Sequence, residues 1–98
     1  MLTIAIDYDN TWTAAPDLFR DFACSIKALG GRAIIATNRG PDWIVGEVAG
    51  LPVVYANGRP KRTACREAGY RVDVWVDDLP HLVDLGAGHP LAASLGLP

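Results

Sequence analysis

Four short apolar runs, spaced by segments of helical character, constrain this chain more than any other feature. They are Leu2 to Ile6, Ala33 to Ala36, Pro52 to Tyr55 and Val72 to Val76. Runs of this length, apolar at successive positions, read as strands buried on both faces, as in a parallel sheet. Between the first two, Pro16 opens a helix on which Leu18, Phe19, Phe22, Ala23, Ile26 and Leu29 recur at helical spacing. Asp17 and Asp21 lie in its early turns, where the dipole favours anions, and Gly30-Gly31 ends it. Pro41 to about Ala49 is expected to form a short helix before Gly50. Asn57-Gly58 is a turn, Pro60 starts a helix to about Ala68, and a last short helix is expected from Pro80 to Leu85. Strand and helix alternate. That pattern predicts an α/β fold, a Rossmann-like parallel sheet of four to five strands with right-handed crossovers and helices on both faces.

Ninety-eight residues, half of them hydrophobic, suit one compact domain spanning 1–98. The formal charge of −2 argues against general nucleic-acid binding and against a polybasic membrane patch. No apolar stretch approaches the roughly 20 residues of a membrane-spanning helix, and no signal peptide is evident. Cys24 and Cys65 are far apart and fall within helical patterns, so they are expected as free core thiols. That expectation fits a cytoplasmic protein.

Open α/β sheets build their sites at the carboxyl ends of the strands. The first run ends at Asp7-Tyr8-Asp9, the second at Thr37-Asn38, and the fourth at Asp77-Asp78; Lys61 opens the helix after the third. At strand spacing, Asp7 and Asp9 point to one side. Two acids held that close need a use: a hard cation with oxygen ligands, or a division between nucleophile and acid/base work.

The lines IAIDYDNT, IIATN, RPKR and VWVDD, in that order over residues 4 to 78, resemble the haloacid dehalogenase-like phosphatase superfamily. A response-regulator receiver uses similar parts in a different order, with the acidic pair first and the acceptor Asp on the third strand. The chain also departs from the family. Trp12 stands where a small aliphatic residue is usual, Pro16 leaves room for only a very short flap, and no stretch is long enough for a cap. The resemblance therefore implies a minimal, capless α/β/α member.

It also implies roles. Asp7 would attack phosphorus and form an aspartyl-phosphate, and Asp9 would serve as general acid and then base, its backbone carbonyl also reaching the metal. Asp78, with Asp77 directly or through water, would complete a Mg²⁺ site with Asp7. Thr37 would donate to the phosphoryl group, assisted by Asn38, and Lys61 would hold it by charge, with Arg62 as the competitor for that place. Thr11 would be structural.

Arg39, Arg59 and Arg62 are expected at the same edge, as a basic rim that draws in an anionic, phosphorylated substrate. Trp12 is either a wall beside the acids or loop packing; Trp43 and Trp75 are expected to pack. His81 and His89 carry no chemistry. The activity implied is a Mg²⁺-dependent phosphomonoesterase of unspecified substrate. A reading of another class is a non-catalytic phosphate- or protein-binding module on the same scaffold. Without a cap, either the substrate is large or a homodimer closes the site.

Overall fold

The computed structural model describes residues 1–87. Its elements are β1 (Thr3–Ile6), α1 (Pro16–Ala28), β2 (Arg32–Thr37), β3 (Val53–Tyr55), α2 (Lys61–Glu67) and β4 (Val74–Val76), with 3-10 turns at Trp12–Ala14 and Pro80–Val83. The described residues form an α/β unit with a four-stranded, all-parallel sheet in the order β3-β2-β1-β4. This arrangement is compatible with a Rossmann-like fold.

β1 is an inner strand: Ile4 pairs with Ala33 on one side and with Val74 on the other. Ile4 and Ile6 join Ala33 and Ile35 in a cluster with Ala23 and Ile26 of α1. Ala5 joins Ile34, Ala36 and Val54 in a second cluster with Ala64 and Cys65 of α2. Alternate strand residues point to opposite sides, so the two helices bury different faces of β1 and β2. No helix among the described residues is long and apolar enough to cross a membrane.

Both helices end in the same way. At α1, Gly31 N–H donates to Ile26 O and Gly30 N–H to Lys27 O, with Gly30 at φ 86°. At α2, Tyr70 N–H donates to Cys65 O and Gly69 N–H to Arg66 O, with Gly69 at φ 92°. This paired bonding uses carbonyls a helix end would leave bare, and its left-handed residue suits glycine. Gly31 is glycine for a different reason: a Cβ there would lie 2.9 Å from Ile26 Cγ2.

Several expectations need correction. Residues 41–49 are not helical: Trp43 N–H closes a turn on Gly40 O, and an irregular stretch follows. Gly46, in the middle of the segment, makes a helix here costly. The segment is instead tied down by Tyr8 and Tyr55, whose hydroxyls accept from Gly46 N–H and Val45 N–H. Trp43 is exposed rather than packed, and so are Leu18 and Leu29 of the first helical pattern. Cys24 is exposed, not a core thiol; Cys65 is buried, and both are free. Burial pushes the Cys65 thiol up to about 11, against the opposing charge of Lys61. The expected last helix is the 3-10 turn Pro80–Val83. His89 lies outside the described residues.

The connections position the site. From β1 the chain moves outward through β2 to β3, then crosses back so that β4 lies on the other side of β1. Strand order reverses at β1, and a crevice opens there at the carboxyl ends of β1 and β4. Asp7 follows one of these strands, and Asp77 and Asp78 follow the other.

Candidate functional site

Asp7 continues the ladder beyond β1, its N–H donating to Val76 O at 2.9 Å. Its side chain is buried against Lys61, the first residue of α2, which is only 1% exposed. Lys61 Nζ donates to Asp7 Oδ1 at 2.7 Å and to Asp77 Oδ2 at 2.5 Å. Asp77 Oδ1 accepts from Leu79 N–H at 2.9 Å, so both of its oxygens are engaged. Asp78 is exposed. Thr11 Oγ1 donates to Asp7 Oδ2 at 3.2 Å and lies 3.5 Å from Asp78 Oδ1. One hydroxyl proton serves one of these acceptors at a time.

Asp7, Asp77 and Asp78 each bring a carboxylate oxygen within 4.8 Å of the others. Among these groups one ammonium faces three carboxyls. The pKa of Asp7 is pushed up to about 7, by burial first and by hydrogen bonding with the Asp78 carboxyl second, with Lys61 opposing both. The set fits a hard divalent cation. Mg²⁺ takes oxygen ligands at about 2.1 Å, so opposite ligands stand about 4.2 Å apart, within the 4.8 Å limit that encloses these oxygens.

The second acid of the opening pair stands apart from this cluster. Asp9 receives Arg39 in a two-pronged contact, Nε to Oδ2 at 2.9 Å and Nη2 to Oδ1 at 2.7 Å. Arg39 also lies 5.1 Å from the centre of the Tyr8 ring. Thr37 is fully buried, and its hydroxyl accepts from Arg39 N–H at 3.2 Å. A cavity of about 130 Å³ at the acids is lined by Asp7, Asp9, Asn38, Lys61, Asp77 and Asp78, among others, but not by Thr37. It is smaller than sites for drug-sized ligands and suits a group of phosphoryl size. Asn38 has a buried Oδ1 without a hydrogen-bond partner, so an unused amide faces this region.

The expected basic rim is not free charge. Arg39 is paired with Asp9, Arg59 with Glu67, and Arg62 with Asp84. Trp12 is packing, not a wall: it is 2% exposed and stacks on Phe19 with centroids 6.4 Å apart. Two features escaped sequence reasoning. Thr11 touches Asp7 itself, and a hydroxyl four residues after an acid gives no signal without the turn at Asn10, whose φ is 62°. The Arg39–Asp9 pair spans 30 residues and no spacing rule announces it. No family model matches the chain, and neither a curated protein nor a solved structure matches it.

Proposed function

We propose that the chain is a Mg²⁺-dependent phosphomonoesterase acting through an aspartyl-phosphate on Asp7, on a capless three-layer α/β/α scaffold of the haloacid dehalogenase-like type. One observation carries this reading: Asp7, Lys61, Asp77 and Asp78, from three separate segments, meet at the reversal of strand order. One buried lysine pairs with two of these acids and leaves the third, Asp78, without an ammonium partner, and uncompensated charge near a buried pair is costly.

A bound Mg²⁺, held by Asp7, Asp78 and Asp77 directly or through water, would offset the repulsion between carboxylate and phosphate. Lys61, bonded to the Asp7 oxygen, orients that oxygen for in-line attack and holds the phosphoryl group by charge. The Asp7 oxygen bonds to phosphorus as the ester P–O bond breaks, and the leaving oxygen takes a proton from Asp9, which must first have picked one up from solvent. Arg39 must release one Asp9 oxygen for that transfer, and an incoming phosphate competes for the same guanidinium. Water then attacks phosphorus, Asp9 takes its proton, and Asp7 and phosphate separate. Asn38 supplies a further polar contact. Thr37 can donate to the phosphoryl group only after a rotation that turns its hydroxyl towards the cavity.

The Arg39 grip on Asp9 and the retreat of Thr37 also favour a second reading, a module that binds phosphate or protein without turnover. Hydrolysis of an aryl phosphate, and then of a panel of phosphometabolites, with and without Mg²⁺ separates the two. The enzyme reading expects Mg²⁺-dependent turnover that Asp7→Asn abolishes. Wild-type activity in Asp7→Asn overturns the mechanism, and cation binding with no turnover of any substrate establishes the module.

A further inference from the structure

A larger cavity lies away from the acids. A groove of about 680 Å³ runs beside α2 and β4, lined by Arg62, Arg66, Tyr70, Arg71, Asp73 and Trp75 with two neighbours. It shares no lining residue with the acidic cavity. The chain carries a net charge of −2, yet this wall presents three arginines and one acid.

The local fold assembles the groove. Arg62 and Arg66 are one helical turn apart and share a face of α2. The glycine turn at Gly69 reverses the chain and sets Tyr70 and Arg71 beside that face. Trp75 of β4 packs against the cluster that holds α2. Arg62 lies 5.6 Å from the centre of the Trp75 ring and is fixed by Asp84 at 2.7 Å. Asp73 is occupied elsewhere, its Oδ2 accepting from Thr3 N–H at 2.9 Å.

Three groups are left unused. Arg66 and Arg71 have no ion-pair partner among the described residues. The Trp75 Nε1–H is buried with no acceptor. Guanidinium forks match phosphate oxygens, and a lone indole donor suits a carbonyl or ring nitrogen. One face of each half-buried ring is taken by an arginine, Arg32 over Tyr70 at 4.8 Å and Arg62 over Trp75, which leaves the other ring surface and the guanidinium planes for a base to stack on. An acidic peptide would answer the arginines but leave the two rings without a flat partner.

We infer that this groove binds nucleotide units, with phosphate on Arg66 and Arg71 and the base against Tyr70 or Trp75. The unit can come from a free nucleotide or from a single strand, and the inference does not depend on the phosphatase reading.

The test is fluorescence anisotropy of a labelled oligothymidine of roughly ten nucleotides on the full chain in EDTA, with AMP and tripolyphosphate as competitors. Saturable binding is expected, falling about tenfold as salt rises from about 50 to 200 mM. Arg66→Glu with Arg71→Glu should weaken it tenfold or more. Tyr70→Ala should weaken it about tenfold, with Tyr70→Phe restoring it. Turnover of a small aryl phosphate should be unchanged in all of these. Competition by AMP at its own low concentration identifies the free nucleotide as the source; strand binding that AMP barely displaces identifies the strand. No saturable binding of strand or AMP overturns the inference. So does binding unaffected by the arginine variants, or displacement by tripolyphosphate as readily as by AMP. Unchanged thermal melts of the charge-reversed variants, or Arg66→Gln with Arg71→Gln should those not fold, tie any loss to the groove.

Discussion

Arg39 grips both oxygens of Asp9, at 2.9 and 2.7 Å, and lies over the ring of Tyr8, the residue between Asp9 and Asp7. The two acids one residue apart are thereby sent to different partners, Asp7 to Lys61 and Asp9 to Arg39. If the guanidinium also meets the incoming phosphate, Arg39→Ala should raise KM for an aryl phosphate about tenfold, the worth of one charge-assisted contact. Arg39→Lys should not restore it, because an ammonium lacks the fork. Steady-state kinetics decide this; an unchanged KM in Arg39→Ala removes the residue from substrate binding.

Lys61 is buried between two acids, so Lys61→Met should be among the most damaging single changes. Removing one partner of a buried ion pair costs about 3–5 kcal/mol, enough to lower the Tm of a domain this size by more than about 12 °C. Divalent cation should recover part of that loss, since it supplies charge in the same place. Thermal unfolding followed by circular dichroism, with and without Mg²⁺, checks both; a Tm within a few degrees of wild type would contradict the charge argument.

Asp7 gives a pH dependence. Its folded pKa is raised from an ordinary value of 3.8 to about 7, by burial above all. Between these values the unfolded chain releases a proton that the folded chain keeps. Folding without divalent cation should therefore weaken as pH rises from about 4 to about 7. One group contributes at most about 1.4 kcal/mol per pH unit. Asp7→Asn should remove this slope, and Mg²⁺ should flatten it by favouring the carboxylate. Urea titrations across that range would show it; stability that rises through the same window in Asp7 protein relative to Asp7→Asn has the wrong sign.

Asp77 and Asp78 should separate. Asp77 gives both oxygens to Lys61 and Leu79 N–H, whereas Asp78 is exposed. Asp77→Asn should lower Tm, and Asp78→Asn should leave Tm nearly unchanged but weaken Mg²⁺ binding about tenfold or more. Calorimetric titration with Mg²⁺ distinguishes them, and the reverse pattern would exchange their roles.

The sheet and the place of the acids were legible in the sequence because short apolar runs ending in Asp are local signals. Ile4 and Ile6 face one helix and Ala5 the other, as a strand buried on both sides requires. The segment 41–49 misled because Pro41 and Gly50 read as a helix start and stop, while Gly46 and two tyrosine hydroxyls decide the matter. Leu18 and Leu29 kept the helical period, but a sheet with β4 at its edge leaves that side of α1 partly uncovered among the described residues. Burial of Lys61 and the pairing of every rim arginine depend on partners 8 to 54 residues away, and local patterns do not carry them. The groove of Arg66, Tyr70 and Arg71 was missed because overall charge hides a local surplus.

The order β3-β2-β1-β4 sets a timetable. Asp7 is made within the first ten residues, but its pocket has only one wall until β4, some seventy residues later, docks against β1. Contacts of such sequence separation close slowly. A chain halted before Val74 would carry Asp7, Thr37 and Lys61 and still lack Asp77 and Asp78. On the proposed reading, Mg²⁺-dependent activity would then be confined to molecules in which β4 has been seated.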